Sequence, residues 1–291
     1  MQSITPFLWF DKNLEEKINY YKSIFPKFKR LGETQVIADT PSGRIEIGEF
    51  ELFDRKLTFM AAGPEFVFNP SISLSIWHND EKTLDEIWDK LTEEGEVMME
   101  YQSYDFAPKY GWCNDKFGLS WQVMLTNSEP VPSLSPSLMF THENNGKAKE
   151  AIEFYTSLFP SSEIGKLYEY GENPFVENSK NLSHAEFKLC GEQFLANDSG
   201  LDHKFDFNES ISFIINCKGQ EEVDFFWDKL ISNGGEESQC GWCKDKYGVS
   251  WQVIPEELNE ATSNPDPEKA NYATQAMLEM KKIVIKDLYK E

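Results

Sequence analysis

Hydrophobic positions along the chain follow two periods, and each period predicts one type of secondary structure. Residues 7–10 form a short apolar run that is typical of a strand. Residues 13–24 place Leu14, Ile18 and Tyr21 at helical spacing, which predicts a helix with one buried stripe, and a proline ends it. The same two periods predict further strands and a second helix at residues 44–50, 55–61, 71–77, 83–94 and 119–125.

The chain contains an internal duplication. Residues 111–124 read GWCNDKFGLSWQVM and residues 241–254 read GWCKDKYGVSWQVI, with ten of 14 positions identical. A self-match of this length predicts two copies of one unit. The first copy has about nine extra residues within 101–110, which predict either a lid over a cavity or a surface loop. The second copy is predicted to have elements at residues 138–141, 147–158, 183–189, 193–197, 210–216, 221–231 and 249–254.

The predicted fold class is α+β. We interpret each copy as a βαβββ module with one more helix before its last strand. The two tandem modules are expected to have curved mixed sheets that surround a shared concavity. The expected boundaries are residues 1–130 for module 1, 131–258 for module 2, and 259–291 for a linker and a C-terminal helix. The polar, proline-containing segment 259–268 predicts the linker. Residues 272–289 predict an amphipathic helix whose apolar positions are Ala276, Met277, Met280, Ile283, Val284 and Leu288.

Composition limits the class of function. The 291 residues are 40% hydrophobic and 14% aromatic, which is enough for a substantial core. A net charge of −22 argues against nucleic acid or an anionic membrane as partner. No apolar run reaches the roughly 18 residues of a membrane span, and the N-terminus does not resemble a signal peptide, so a cytoplasmic location is expected.

The five cysteines are predicted to be free thiols, because their number is odd and a reducing compartment is expected. Cys240 and Cys243 form a CxxC pair, but the first copy has only Cys113 at this place. A zinc site with four thiolates would need a second pair, and a redox motif would need a helix directly after the first. Neither kind of site is favoured.

The GWCxDKxGxSWQV motif, the FYTSLFP end of the first helix in the second copy, and the order of elements resemble the vicinal oxygen chelate superfamily. This superfamily contains glyoxalases and bleomycin-resistance proteins. Within it the chain is similar to the PhnB-like branch, whose members carry the label 3-demethylubiquinone-9 3-methyltransferase-like. The resemblance covers about residues 4–290. It implies single modules that pair as homodimers, so we expect a monomer with an internal pseudo-dimer, or a homodimer.

The resemblance does not define a reaction. The usual S-adenosylmethionine fold needs a glycine-rich turn, and this chain has 17 glycines but no GxG, so a methyltransferase activity is not favoured. Metalloenzymes of the superfamily place His, Gln or Glu ligands on the first and last strands. Here Gln122, Gln252 and the edge pair His142 and Glu143 are a poor donor set for a divalent cation, so no metal and no other cofactor is predicted.

Tryptophans and a few polar residues form the candidate ligand-binding site. An aromatic-lined hollow with a few amides suits a flat or apolar organic molecule, although the indoles could also belong to the core. His184 is interpreted as a ligand-facing base or an ordinary histidine, and Asp198 as an orienting carboxylate or a turn residue. No catalytic residue is assigned. The predicted ligand-binding residues are Trp9, Trp112, Trp121, Gln122, His184, Asp198, Trp242, Trp251 and Gln252.

Two function classes follow. The first is a small-molecule-binding protein that works without a metal and holds its ligand in an aromatic-lined cavity. The alternative is a metal-dependent lyase, isomerase or dioxygenase-like enzyme of the same superfamily. Metal content and quenching of tryptophan fluorescence by an apolar ligand distinguish the two classes.

Overall fold

The computed structural model of the protein describes residues 3–40, 43–172 and 178–290. Each sequence copy contains two βαβββ motifs, so the chain has four such motifs in succession. The first motif consists of β1 (Ile4–Phe10), α1 (Leu14–Ile24), β2 (Lys29–Arg30), β3 (Gln35–Thr40), β4 (Gly43–Leu52) and β5 (Arg55–Ala61). The second consists of β6 (Ile72–His78), α2 (Glu81–Thr92), β7 (Glu96–Tyr104), β8 (Ala107–Asn114) and β9 (Ser120–Leu125).

The second copy repeats this order and is followed by two further helices. The third motif consists of β10 (Ser133–Phe140), α3 (Ala148–Leu158), β11 (Glu163–Glu169), β12 (Leu182–Leu189) and β13 (Glu192–Asp198), with a 3₁₀ turn at His142–Asn144. The fourth consists of β14 (Ile211–Cys217), α4 (Gly219–Leu230), β15 (Glu236–Glu237), β16 (Trp242–Lys244) and β17 (Ser250–Pro255). The chain ends with α5 (Glu256–Thr262), α6 (Pro267–Glu279) and a 3₁₀ turn at Ile285–Leu288.

The strands form two mixed sheets, and each sheet takes one motif from each half of the chain. Sheet A has the order β15-β16-β17-β14-β1-β5-β4-β2, with β3 also paired to β4, and therefore joins the first and fourth motifs. Sheet B has the order β11-β12-β13-β10-β6-β9-β8-β7 and joins the second and third motifs. The seams are the antiparallel pairs β1·β14 and β6·β10. The predicted α+β class and the tandem modules are confirmed, and the structure adds that the two halves interlock through both sheets.

A buried aspartate holds the repeated GWC motif in place in each half. The Asp115 carboxylate accepts hydrogen bonds from the Tyr21 hydroxyl at 2.8 Å and the Trp121 indole at 2.9 Å. Two backbone N–H groups of the following turn, those of Phe117 and Leu119, also donate to it. Burial raises the pKa of the Asp115 carboxyl, and these four donors oppose the shift. The motif thus links the turn before the last strand to the first helix.

The second half repeats this arrangement. Asp245 accepts from Tyr155 at 2.6 Å, from Trp251 at 2.8 Å, and from the backbone of Tyr247 and Val249. A single apolar core contains residues of both sheets and of the helices α1 to α4. The aspartate and the second tryptophan of the motif, which are identical in the two copies, therefore serve packing of the core.

The C-terminal region differs from the prediction. The predicted helix over residues 272–289 was wrong beyond Glu279, where α6 ends, and the predicted linker contains most of α5. The chain becomes extended at Met280, whose carbonyl accepts from the backbone N–H of Cys240 at 2.7 Å, because this segment lines the end of sheet A. Ile283 and Leu288 are buried in a small cluster against α5 and α6. Across the described residues, no helix is long and apolar enough to span a membrane.

Candidate functional site

Side chains alternate between two faces of every strand, and only one face of each sheet meets the helices α1 to α4. On β1, Leu8 and Phe10 belong to the core with the helices. Phe7 and Trp9 point to the opposite face and belong to a separate apolar cluster. Each sheet therefore has a helix-free face, which is where the sequence predicted the ligand site.

The helix-free face of sheet A is apolar around β1 and carries the buried hydroxyls of Thr58, Ser212 and Ser250 beside this region, and we call it the apolar face. Phe7, Met60 and Ala62 are buried there, at 4%, 7% and 3% exposure. Around them lie the half-buried side chains of Trp9, Ile45, Ile47, Ile214 and Trp242. Since β1, β4 and β5 come from the first half and β14 and β16 from the second, neither half forms this face alone.

Aromatic rings converge across the apolar face. Phe7 on β1 and Trp242 on β16 are three strand positions apart in sheet A, a span of about 14 Å in a flat sheet. Their ring centroids are nevertheless 5.5 Å apart, in an edge-to-face contact. Trp9 contacts Trp242 at 6.1 Å and Phe66 at 5.0 Å, and its indole N–H donates to the Gly63 carbonyl at 2.8 Å. The rings approach one another as they do on a concave face.

The helix-free face of sheet B is rich in hydroxyl groups, and we call it the hydroxyl-rich face. Its six serines are 9% exposed or less, and Ser135 and Ser137 of β10 lie opposite Ser75 and Ser73 of β6 in register. Trp77 contributes an aromatic ring, stacked at 6.4 Å on the imidazole of His184 from β12. The serines are Ser73, Ser75, Ser120, Ser133, Ser135 and Ser137.

The predicted residues Trp112 and Gln122 lie on the hydroxyl-rich face. The Trp112 indole donates to the Ser120 hydroxyl at 2.8 Å. The Gln122 amide donates to Ser73 at 2.7 Å and accepts from the Tyr110 hydroxyl at 3.1 Å. Both ends of this amide are therefore engaged within the protein.

The predicted residue His184 also lies on this face, but at its other end. Burial lowers the pKa of the His184 imidazole, although the carboxylate of Glu186 lies 3.8 Å away and opposes the shift. The ring is therefore neutral at pH 7. Strands β13, β10, β6 and β9 separate it from Trp112 on β8, so these predicted residues do not form one group.

Trp9, Trp242 and Gln252 are brought together on the apolar face. Trp242 and Gln252 are directly paired residues of β16 and β17. The Gln252 amide donates to the Ser212 hydroxyl at 2.9 Å and is 5% exposed. This group of three combines two half-buried indoles with one buried amide.

The remaining three predicted residues lie in the core. Trp121 and Trp251 point toward the helices, at 2% and 1% exposure, and their indole N–H groups are bound by the buried aspartates. Asp198 accepts backbone N–H bonds from Gly146 and Ala148 at the start of α3, and from Leu182. We therefore correct the expectation that these three residues line a ligand cavity, because their polar groups hold the fold together.

Several residues of the two faces were missed by the sequence analysis, among them Phe7, Met60 and Ser137. A signal was present in the first strands, which read PFLWF in the first copy and PSLMF in the second. The positions that differ, Phe7 against Ser137 and Trp9 against Met139, alternate with shared ones. In a strand, such alternating positions belong to one face.

The extra residues 101–110 form the end of the β7–β8 hairpin and not a separate lid or loop. Tyr104, Phe106 and Tyr110 make edge and stacked ring contacts at 5.2–5.9 Å there. In the second half the corresponding strands β15 and β16 are two and three residues long. The hairpin therefore lengthens sheet B at the edge next to Trp112.

The residues that the resemblance suggested for a metal do not fit one. Both glutamines are hydrogen-bonded within the faces, as described above. His142 follows β10 in a 3₁₀ turn, where Nδ1 lies 3.0 Å from Asp206 and Nε2 lies 2.7 Å from the His203 carbonyl. Within the ranges that the structure describes, no three His, Cys, Asp or Glu side chains are grouped so that they could hold a metal ion. We derive no reaction through a metal.

Two surface depressions lie elsewhere on the molecule. One of about 490 Å³ is lined by Pro160, Phe225 and Phe226 near α3 and α4. The other, of about 360 Å³, is lined by polar residues including His142 and Lys147. Neither contains Trp9, Trp242 or a serine of the hydroxyl-rich face. The half-buried rings of Trp9 and Trp242 are the accessible part of the apolar face.

The fold defined by these two composite sheets is that of the glyoxalase-like proteins. Glyoxalase I from Zea mays is similar in structure, with a TM-score of 0.56 and 13% identity over 86% of this chain and 92% of that chain. A putative dioxygenase from Bacillus subtilis is also similar, with a TM-score of 0.51 and 9% identity over 96% of this chain and 91% of that chain. At these identities the likeness shows the fold alone.

The family is defined by a sequence match in both halves. The family model described as 3-demethylubiquinone-9 3-methyltransferase matches residues 2–124 and again residues 132–254, and the chain belongs to this family. A putative protein of that description, also titled PhnB protein, from Bacillus cereus is 29% identical over 42% of this chain and 98% of its own, with a TM-score of 0.39. No curated protein matches the chain.

Proposed function

We propose that this protein binds a small organic molecule with an apolar or aromatic surface on the apolar face of sheet A. The observation that carries the proposal is the convergence of Trp9, Trp242 and Phe66 over buried Phe7. Half-buried aromatic rings around a buried apolar floor give a ligand a large contact area at low entropic cost. Gln252 lies beside Trp242, and because its amide nitrogen donates to Ser212, its oxygen is the atom that would accept from a polar group of the ligand.

The methyl transfer in the family's printed name is not part of this proposal. A methyl donor such as S-adenosylmethionine needs a close backbone approach to its charged groups, which glycine-rich turns allow. The chain has no GxG sequence, and the apolar face consists mainly of aromatic and aliphatic side chains. The chemistry of this face favours an uncharged ligand.

The proposal is tested by titration with N-phenyl-1-naphthylamine, an uncharged aromatic probe, followed by probe fluorescence. The matched variants are Trp242→Ala on the apolar face and Trp112→Ala at the equivalent position of the hydroxyl-rich face. Removal of the Trp242 ring is expected to raise Kd about tenfold or more, since loss of an aromatic contact costs at least about 1.4 kcal/mol. Trp112→Ala is expected to change Kd less than about twofold.

Circular dichroism confirms that both variants are folded before the comparison is made. Equal weakening by the two variants, or no binding of the probe to the wild-type protein, would remove the proposal. Metal analysis of the purified protein tests the enzyme alternative, which requires a stoichiometric transition metal.

A further inference from the structure

Arg55 and Glu192 occupy equivalent positions in the two halves of the chain. Arg55 begins β5 and pairs with Leu52 across the β4–β5 turn, and Glu192 begins β13 and pairs with Leu189 across the β12–β13 turn. Both turns consist of two successive residues with positive φ. The local structure is therefore the same, while the side chains have opposite charge.

These two equivalent residues meet each other. Arg55 Nη1 lies 3.8 Å from Glu192 Oε2, so the contact lies close to the pseudo-twofold axis that relates the halves. Two identical modules around a true twofold axis would bring a residue at this place against its own copy. Two first halves would oppose Arg55 to Arg55, and two second halves would oppose Glu192 to Glu192.

The surroundings of Arg55 come from the second half. Its Nη1 donates to the carbonyls of Leu134 at 3.3 Å and Gln193 at 2.6 Å, and its guanidinium lies 4.7 Å from the ring centre of Phe194. The first half has Leu57 at the position of Phe194. A guanidinium stacks favourably on an aromatic ring, which only the second half supplies at this place.

Because the guanidinium of Arg55 is buried, the charge of the residue opposite it affects the stability of the fold. Arg55 is 3% exposed, and its Nε and Nη2 have no hydrogen-bond partner among the residues that the structure describes. Over the same residues, Glu192 is the one acidic side chain within 4.0 Å of the guanidinium. A buried cation without its counter-charge is strongly destabilising, and a second cation in its place is worse.

We propose that the contact of Arg55 with Glu192 and Phe194 makes each half of this chain a partner for the unlike half and disfavours pairing of like halves. This choice of partner also determines the composition of the two helix-free faces. Pairing of like halves would give two identical sheets, whereas pairing of unlike halves joins the first motif to the fourth and the second to the third. Complementary charge at the axis therefore maintains one apolar and one hydroxyl-rich face, whatever each face binds.

The test is thermal unfolding of the full-length chain in low salt for Arg55→Glu, Glu192→Arg and the double exchange of both. Arg55→Glu places two carboxylates against each other at the pseudo-twofold axis, as the pairing of two second halves would. It is expected to lower Tm by about 6–12 °C. Glu192→Arg is expected to have a smaller effect, because this side chain is half-exposed. The double exchange should recover more than half of the loss, since an arginine at position 192 meets the equivalent carbonyls of Ile4 and Lys56.

A Tm of the double exchange at or below that of Arg55→Glu would overturn the proposal, because Arg55 would then act through its own packing alone. If Arg55→Glu does not fold, recovery of folding in the double exchange supports the proposal. If neither variant folds, the Tm values of Glu192→Arg and Glu192→Gln test the proposal, since both variants keep Arg55 and its contacts with the carbonyl groups. A lower Tm for Glu192→Arg than for Glu192→Gln supports the proposal, and equal Tm values overturn it.

Discussion

The two helix-free faces have the same strand order and share buried serines at two equivalent positions, Ser73 with Ser212 and Ser120 with Ser250, but they differ in chemistry elsewhere. Where the apolar face has Phe7 and Ile214, the equivalent positions of the hydroxyl-rich face have Ser137 and Ser75. Two further equivalent pairs change in the same direction, and they are Met60 with Asn197 and Ile47 with His184. The difference shows that a duplicated chain can form two sheets with the same backbone arrangement and different surfaces. This is possible because sheet A consists of the first and fourth motifs and sheet B of the second and third.

The core beneath the faces shows no such difference. Tyr21, Asp115 and Trp121 form the same hydrogen-bonded group in the first half as Tyr155, Asp245 and Trp251 form in the second. The buried carboxylate satisfies four donors in each half, so a residue without an acceptor group would leave them unpaired. Positions on the faces are under no such requirement.

The largest expected effect comes from removing the buried carboxylate. Asp115→Ala and Asp245→Ala each leave two side-chain and two backbone donors without an acceptor, and each is expected to cost about 3–5 kcal/mol of unfolding free energy. Urea denaturation measures the cost, with the exposed Asp89→Ala as control, expected within about 0.5 kcal/mol of wild type. A loss confined to one half would contradict the equivalence of the two cores.

An intermediate effect is expected from exchanging chemistry on the apolar face. Phe7→Ser gives this face the residue of its counterpart and removes a ring that is 4% exposed, at a cost of about 2–4 kcal/mol. The matched change Ser137→Ala on the hydroxyl-rich face should cost less than about 1 kcal/mol. Urea denaturation of both variants provides the comparison. Similar costs would show that the apolar side chains do not stabilise their face.

The smallest expected effect is the pH dependence of the contact between His142 and Asp206, which the first half lacks because Lys12 stands at the position of His142. The carboxylate of Asp206 raises the pKa of the His142 imidazole above 6.5. The charged contact of His142 with Asp206 therefore stabilises the folded protein fully below pH 6.5. This stabilisation is lost as the pH rises through the pKa of His142 in the folded protein. His142→Gln should flatten Tm against pH between 6 and 9, and an unchanged profile would contradict the pairing.

The sequence was sufficient to predict the duplication, the helices α1 to α4 and the central strands. It did not predict β7, β8 and β11, which make each copy two βαβββ motifs and not one, and it did not predict the direction of the site residues. The motif SWQV places Trp251 beside Gln252, and neighbouring residues of a strand point to opposite faces. Both could not line one cavity, and the buried aspartate that binds the indole is the reason why the tryptophan lies in the core. By contrast, Trp88 and Trp227 lie on the buried stripes of helices α2 and α4, at 8% and 1% exposure.

Which strands pair across the halves could not be derived from periodicity. The seam between β1 and β14 joins residues more than 200 positions apart, and nothing in the local pattern of either strand specifies the other. The two faces are assembled at this seam and at β6·β10. The site could therefore be predicted only as a list of aromatic and polar residues, of which Trp9, Trp242 and Gln252 share the apolar face.

The crystal structure of the protein in complex with N-phenyl-1-naphthylamine is the most direct test of the difference between the two faces. We expect density for the probe against the rings of Trp9, Phe66 and Trp242, with the hydroxyl-rich face free of it. Probe density between Trp77 and His184, or on both faces equally, would contradict the account.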